Sequence, residues 1–201
     1  QHGLNLTVVD CGVNHDFLAG LPAGTQRPGL WVHKVTGGEK GTADSSVQAA
    51  MTPVQCQQAL RNGQDIVKAL PGNAVLLGEM GIGNTSAASL LLARLSGLDM
   101  EVCTGAGTGL DAAAVQRKTA VLRQVLARHS DATAPLAALA AFGGFEIATM
   151  VGAILQAAQE RRVIVVDGFI ATSAVLVAHA LQPLVLQRCV FAHRSGERGH
   201  A

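Results

Sequence analysis

One repeating unit constrains the fold of this chain more than any other feature. Four times, a short apolar run is followed by a loop and then by a stretch with helical spacing. The apolar runs lie at residues 6–10, 73–77, 100–103 and 163–166. Strands that alternate with helices of this length form parallel crossover units. The sequence therefore predicts an α/β domain with a mostly parallel sheet, with a last strand in residues 184–193.

Residues with strong positional preferences mark the ends of the predicted helices. Thr52 and Pro53 are typical of the N-cap and the first position of a helix, which we expect to end before Pro71. Gly97 is typical of the residue that follows a helix, and Asp111 is typical of an N-cap. The chain therefore carries its own start and stop signals for three helices.

The composition fits one domain of this class. The chain has 201 residues, of which 49% are hydrophobic and only 3% are aromatic. This mixture suits strands that are apolar on both faces and helices that pack closely over them. We expect residues 1–201 to form a single α/β core, with a long loop over residues 20–46. A net charge of +1 and the absence of Tyr argue against nucleic-acid binding.

The same sequence indicates a cytoplasmic protein. Residues 168–187 carry no formal charge, but His179 and Pro183 interrupt them, so we expect a buried helix there and no membrane span. The four cysteines form no Cys-x-x-Cys pair, which argues against a disulfide framework and a zinc site. The first residues lack the pattern of a signal peptide. We also expect the chain to be a fragment of a longer enzyme.

The predicted topology gathers chemically useful residues in one place. The loops at the carboxyl ends of parallel strands meet along one edge of the sheet. We therefore expect Asp10, Glu79, the glycines of residues 105–109, Asp167 and Glu197 to line a common crevice.

The loop "GEMGIGNTS", residues 78–86, resembles a nucleoside-triphosphate loop without its lysine. Asn84 stands where the lysine that grips the β- and γ-phosphates would be. Glycines before a helix still allow an anion to bind at the helix start, where Thr85 and Ser86 are expected to cap. Glu79 would repel a triphosphate but could accept hydrogen bonds from a ribose. The pattern favours a nucleoside monophosphate, although a plain tight turn remains an alternative.

A second glycine loop, "TGAGTG" at residues 104–109, also precedes a helix. It does not fit Gly-x-Gly-x-x-Gly, and no acidic residue follows at the usual distance, so a dinucleotide site is disfavoured. Lys118 lies two turns into the next helix, where it could turn towards the crevice or remain a solvated surface lysine.

The segment "VIVVDGFIATSA", residues 163–174, resembles the loop by which many phosphoribosyltransferases hold ribose 5-phosphate. Those enzymes carry two adjacent acidic residues, but here Gly168 follows Asp167. Without an acidic pair for magnesium pyrophosphate, a substrate that lacks pyrophosphate is the better prediction. Thr172 and Ser173 complete the pattern.

The segment "HRSGERGH", residues 193–200, is rich in charge and glycine. His193 and His200 have no third ligand at a sensible spacing, so no metal site is predicted. Glu197 lies between Gly196 and Gly199, where a flexible loop could place a carboxylate for general-base catalysis. A solvated turn is the alternative interpretation.

Taken in order, these motifs resemble one family. "GEMGIGNTS", "GAGTGLD" followed by Lys118, "LAAFGGFEIATMVGAIL", "VIVVDGFIATSA" and "FAHRSGERGH" are similar to the nicotinate-nucleotide–dimethylbenzimidazole phosphoribosyltransferases of cobalamin lower-ligand synthesis. "DCGVNHDF" and "AMTPVQCQQAL" extend the resemblance over nearly the whole chain. The glycine loop departs from the family's commoner Gly-Arg-Gly-Thr-Gly form.

The resemblance implies a Rossmann-like, three-layer α/β domain, a homodimer, and transfer of 5-phosphoribosyl from nicotinate mononucleotide to 5,6-dimethylbenzimidazole with no cofactor and no metal. It implies that Glu197 is the general base, that Lys118 holds the phosphate and Glu79 the ribose, and that Ser173 faces the nicotinate. The remaining substrate contacts it implies are Gly81, Gly83, Asn84, Thr85, Gly105, Gly107, Thr108, Gly109, Gly144, Asp167, Gly168, Ser195 and Gly196.

Three alternatives remain open at this point. The first is an enzyme of the same fold that acts on another base, such as adenine or a phenol. The second is a phosphoribosyltransferase that uses pyrophosphate and magnesium, against which Gly168 argues. The third is a non-catalytic nucleotide-binding or dimerisation module.

Overall fold

A computed structural model describes residues 3–22, 25–35, 37, 40–107, 109–192, 195–197 and 199. The strands are β1 (Val8–Asp10), β2 (Leu30–Val32), β3 (Ala74–Leu77), β4 (Val163–Val166) and β5 (Cys189–Phe191). The α-helices are α1 (Pro53–Ala69), α2 (Thr85–Ser96), α3 (Met100–Cys103), α4 (Ala112–Arg128), α5 (Pro135–Phe142), α6 (Phe145–Gln159) and α7 (Gly168–Leu181). A three-ten helix, Pro183–Arg188, precedes β5.

The strands form parallel sheets between helices, as the alternation of apolar runs and helices predicts. β3, β4 and β5 lie side by side in that order, and both pairings are parallel. β1 pairs with β2 in a separate parallel sheet. β2 falls within residues 20–46, where the sequence predicts only a loop, because its three residues are too short a run to give a period-2 signal.

The predicted helix ends are confirmed by their hydrogen bonds. Thr52 Oγ1 accepts from the Gln55 amide at 3.2 Å while Gln55 Oε1 accepts from the Thr52 amide at 3.0 Å, which is a complete capping box for α1. Gly97 ends α2 in the left-handed conformation, with φ of 75°. Asp111 caps α4 by accepting from the Ala114 amide at 2.7 Å.

One predicted strand is wrong and another is wrong in part. Residues 100–103 form the short helix α3, after which the Thr104 amide donates to the carbonyl of Met100. A four-residue apolar run does not distinguish a strand from a buried helical turn by its period, and Met100 and Cys103 are the two buried positions. The first part of the last predicted strand is the three-ten helix, so that β5 begins only at Cys189.

The core lies where helices cover one face of the β3–β4–β5 sheet. Ile164 and Val166 are fully buried against this core, whereas Leu76, Val163 and Val190 on the other face are exposed. Helices α1 and α6 approach most closely, since a Cβ on Gly152 would overlap the carbonyl oxygen of Leu60. Within the described residues, no helix has the length and apolar character needed to cross a bilayer.

Candidate active site

Three carboxylates follow the three strands of the larger sheet. Glu79 lies two residues after β3, Asp167 directly after β4, and Glu197 in the segment beyond β5. The last residues of the three strands are register partners, so the strands end at the same edge. Glu79 and Asp167 therefore follow neighbouring parallel strands, and the common crevice for the three carboxylates stays a prediction.

Asp10 does not belong to this edge, in contrast to the prediction. It ends β1, which lies in the other sheet, because β1 pairs with β2 rather than with β3. Its carboxylate is buried, forms an ion pair with Lys34 Nζ at 3.0 Å, and accepts hydrogen bonds from the amides of Gly12 and Val13. These contacts give Asp10 a structural role at the start of its loop.

The Glu79 side chain folds back over its own glycine loop. Glu79 Oε2 accepts from the Gly81 amide and from Asn84 Nδ2, both at 2.7 Å. Gly83 has a φ of 84°, a conformation that glycine adopts without strain. Asn84 is the N-cap residue of α2, and its side chain makes no capping bond, so the predicted caps Thr85 and Ser86 are helical residues instead.

The same asparagine contacts a second carboxylate that the motifs did not single out. Asn84 Nδ2 donates to Glu146 Oε1 at 3.3 Å from the first turn of α6. Burial raises the pKa of Glu146, and the negative charge of Glu79 raises it further, while hydrogen bonds oppose both. Gly144, the N-cap of α6, lies so close that a Cβ there would overlap the Glu146 carboxylate. The sequence signal was an acidic residue in the first turn after two glycines.

A cationic contact lies on the other side of the α2 start. Lys118 Nζ, on α4, donates to Thr85 Oγ1 at 2.9 Å. A Cβ on Gly107 would lie 3.3 Å from the same hydroxyl oxygen, so the second glycine loop borders this contact. Burial lowers the pKa of Lys118, and the negative charge of Glu197 opposes that effect. The structure thus brings together Thr85, Gly107, Lys118 and Glu197.

The second glycine loop follows helix α3 rather than a strand. Gly105 is buried and Gly109 is exposed with a φ of 119°. The Asp111 carboxylate already caps α4, so the start of that helix carries a negative charge and is a poor place for an anion. Thr108 lies outside the described residues. Beside this loop is a cavity of about 330 Å³, lined by Ala106, Leu110, Ala112, Val115 and Gln116.

The segment after β4 enters a helix at once. Asp167 is the N-cap residue of α7, and Gly168 has a φ of 83° at its first position. Ser173 is buried within α7, where its hydroxyl donates to the carbonyl of Ile170 at 2.7 Å. Thr172 lies within the same helix, and its hydroxyl donates to the carbonyl of Gly168. Asp167 and Gly168 therefore lie at the sheet edge, while Ser173 lies more than a turn further into the protein.

Beyond β5 the structure describes residues 195–197 and 199. The Glu197 amide donates to Ser195 Oγ at 3.2 Å, and Gly196 faces open space. Glu197 Oε2 is buried and has no hydrogen-bond partner within the part of the chain that the structure describes. Gly199 lies against Leu92 on α2 and Phe169 on α7. His193 and His200 lie outside the described residues, among which no three His, Cys, Asp or Glu side chains are arranged to hold a metal ion.

Comparison with known proteins identifies the family. The phosphoribosyltransferase family profile matches residues 1–201. The chain belongs to the phosphoribosyltransferase family. Proteins named nicotinate-nucleotide–dimethylbenzimidazole phosphoribosyltransferase are similar to it: that of Variovorax paradoxus is 67% identical over 100% of this chain and 55% of its own length. That of Dechloromonas aromatica is 52% identical over 100% of this chain and 56% of its own length.

The fold agrees with this phosphoribosyltransferase family. A crystal structure of nicotinate-nucleotide–dimethylbenzimidazole phosphoribosyltransferase from Thermus thermophilus superposes with a TM-score of 0.84 at 32% identity. The match covers 96% of this chain and 55% of that one. The chain therefore spans about half the length of the relatives that it matches.

Proposed function

We propose that this chain forms the catalytic core of an enzyme that transfers 5-phosphoribosyl from nicotinate mononucleotide to 5,6-dimethylbenzimidazole. The products are α-ribazole 5′-phosphate and nicotinate. The observation that carries the proposal is the grouping of the Lys118 ammonium group, the Thr85 hydroxyl and the half-buried Glu197, whose Oε2 atom is buried. The same core could transfer ribosyl to another base, and the acceptor is therefore part of what must be tested.

One phosphate suits the cationic end of the site. Lys118 and Thr85 offer an ammonium group and a hydroxyl at the start of α2. The N-terminus of α2 is the positive end of the helix dipole, and the Asn84 side chain makes no capping hydrogen bond there. A triphosphate needs several positive charges or a metal ion, whereas a nucleoside monophosphate needs one such contact. Gly107 borders this contact, and residues 81–83 come directly before the start of α2, where a glycine backbone can approach the phosphate.

The ribose suits the carboxylate end. Glu79 is exposed and held by the Gly81 amide and by Asn84, so its carboxylate is oriented before a ligand arrives. Ribose hydroxyls donate hydrogen bonds to such a carboxylate. Asp167 at the end of β4 and Gly144 before α6 complete this side. The nicotinate contact predicted for Ser173 would require its buried hydroxyl to leave the carbonyl of Ile170.

The reaction needs one base. One ring nitrogen of dimethylbenzimidazole attacks the anomeric carbon from the face opposite to nicotinate, and Glu197 takes the proton from the other ring nitrogen. The bond from the anomeric carbon to the pyridinium nitrogen breaks, and its electron pair neutralises the ring. Nicotinate therefore leaves without an acid or a metal ion, while negative side chains stabilise the positive charge that develops on the ribose.

Residues 1–201 are proposed to be one α/β domain, and the active protein is proposed to be a cytoplasmic homodimer. Among the residues of this site that the structure describes, four carboxylates stand beside one lysine: Glu79, Glu146, Asp167 and Glu197 beside Lys118. A substrate with a cationic ring and one phosphate matches this balance of charge better than a polyphosphate does.

The test is a transfer assay in EDTA. The chain is incubated with nicotinate mononucleotide and dimethylbenzimidazole, and α-ribazole 5′-phosphate is followed by chromatography, with the full-length Variovorax paradoxus relative as the positive control. Glu197→Ala is expected to lower the transfer rate by about 10²–10⁴-fold and to leave nicotinate mononucleotide binding nearly intact.

Glu101→Ala, on the exposed side of α3, is the matched control and should retain the wild-type rate. Wild-type turnover by Glu197→Ala would exclude Glu197 as the base. Binding of nicotinate mononucleotide with no transfer to any base would favour the non-catalytic alternative.

A further inference from the structure

The Asn84 side chain joins two carboxylates from distant parts of the sequence. Its Nδ2 atom donates to Glu79 Oε2 at 2.7 Å and to Glu146 Oε1 at 3.3 Å. A side-chain amide nitrogen carries two N–H groups, so one asparagine can serve both acceptors. The order of the contacts is therefore Glu79 from the loop after β3, Asn84 at the start of α2, and Glu146 at the start of α6.

Two glycines leave the space that this bridge occupies. A Cβ on Gly81 would overlap Asn84 Nδ2, and a Cβ on Gly144 would overlap the Glu146 carboxylate. Neither glycine has a positive φ, so a left-handed backbone does not account for them. A side chain at either glycine would therefore displace one member of the bridge.

The surroundings of Glu146 make its charge sensitive to pH. Burial is the largest cause of its raised pKa, and Glu79 adds to it. Cys11 is a further titratable neighbour, because the charges of Glu146 and Asp10 both raise the pKa of its thiol, and Asp10 is paired with Lys34. The half-buried carboxylate therefore faces mainly negative or neutral groups, with the Asn84 amide as its polar contact towards the site.

We propose that Glu146 is a positioning residue: its carboxylate holds the Asn84 amide, and through it fixes the orientation in which Glu79 meets the ribose. The ribose is part of the proposed function, on which this last step rests. Glu79 itself is exposed, and ordering a free glutamate when the ligand binds would cost side-chain entropy. The Asn84 bridge orders Glu79 in advance, which is the usual advantage of a preorganised site.

The first readout needs no ligand. The side-chain amide of Asn84 is followed by ¹H–¹⁵N NMR from pH 4 to pH 8 in the wild-type chain. We expect its shifts to follow the titration of Glu146, whose pKa is raised. Glu146→Gln keeps an acceptor oxygen but removes this titration, so the Glu146 step should disappear. Glu101→Gln, which also removes one carboxylate, should leave that step unchanged.

A second variant separates charge from position. Gly144→Ala retains Glu146 but places a methyl group where its carboxylate lies, and that carboxylate is the far end of a flexible side chain that can move away. We expect the Glu146 step to disappear from the Asn84 signal in this variant too. Identical Asn84 titration curves in the wild type and both variants would overturn the proposal.

The second readout is binding of nicotinate mononucleotide by calorimetry. Glu146→Gln should raise the dissociation constant by roughly 3- to 10-fold, the scale of one side chain that must be ordered on binding. An unchanged dissociation constant, beside normal binding by the wild type, would overturn the positioning role. If the wild type does not bind this nucleotide while the Asn84 signal titrates as expected, the proposed function fails and the Glu146–Asn84–Glu79 contact stands.

Discussion

Lys118 Nζ donates a hydrogen bond to Thr85 Oγ1 at 2.9 Å, which ties the second turn of α4 to the first residue of α2. The lysine is half-buried, and burial lowers its pKa from the ordinary 10.5. A lysine held in this way offers a single, oriented positive charge beside a helix N-terminus. In the proposed function it takes the place, from another helix, of the lysine that is missing from the loop of residues 78–86.

Lys118→Gln is therefore expected to weaken the binding of nicotinate mononucleotide by roughly 10- to 100-fold, the scale of one charge-assisted hydrogen bond. Calorimetric titration of the nucleotide measures this change. In the proposed function the protonated lysine binds the phosphate, so wild-type affinity should be full below the lowered pKa of Lys118 and fall as the pH rises through it.

The matched control is Lys68→Gln, on α1, where the lysine forms an exposed ion pair with Asp65. The affinity of the Lys68→Gln variant for nicotinate mononucleotide should equal that of the wild type. Equal affinities for the Lys118 and Lys68 variants would show that Lys118 is not the phosphate contact.

The features that sequence predicted best are those with local causes. The Thr52 capping box and the Gly97 stop depend on residues within one helical turn, and each is found where the sequence placed it. The carboxylates after β3 and β4 were predicted because parallel strands end at a common edge, whatever their separation in sequence.

Features with long-range causes were missed. Whether residues 100–103 form a strand or a helix depends on what buries them, and their own pattern fits both. Asp10 was misplaced because β1 pairs with β2 instead of joining the larger sheet. Glu146 contacts Asn84 across 62 positions of sequence, and no local rule links a first-turn glutamate to a distant asparagine.

The crossing of α1 and α6 depends on two glycines, Gly63 on α1 and Gly152 on α6, each of which faces the backbone of the other helix. A Cβ on Gly63 would overlap the carbonyl oxygen of Thr149, and one on Gly152 would overlap that of Leu60. Gly152→Ala gains helix propensity of up to about 1 kcal/mol, but the clash with backbone atoms forces the helices apart. We expect a net loss of about 1–3 kcal/mol in the free energy of unfolding, measured by urea denaturation.

Gly78→Ala serves as the control for this loss of stability. A Cβ on Gly78 meets no atom within 4 Å, and its φ is not positive, so stability should change by less than about 0.5 kcal/mol. A Gly152 variant as stable as the Gly78 variant would contradict the close approach of the two helices.

The thiol of Cys11 reports on the Glu146 carboxylate. Burial raises the pKa of Cys11 from 9.0 to about 11; the Thr149 hydroxyl opposes this rise, and the charges of Glu146 and Asp10 add to it. Since only the thiolate reacts, alkylation of Cys11 by iodoacetamide should keep rising about tenfold per pH unit beyond pH 9, where an ordinary thiol levels off. Peptide mass spectrometry measures the rate at each cysteine.

Glu146→Gln removes a negative charge beside this thiol, so the pKa of Cys11 should fall and its alkylation at a fixed pH should become faster. Cys56 is the internal control, because burial alone raises its pKa to about 11 and no carboxylate contributes. Its rate should be the same in both proteins, which also excludes a general opening of the fold. If the rates of Cys11 and Cys56 rise together, the variant has loosened the protein. If neither rate rises, Glu146 does not raise the pKa of Cys11. The contact between the start of α6 and the loop after β1 is then contradicted.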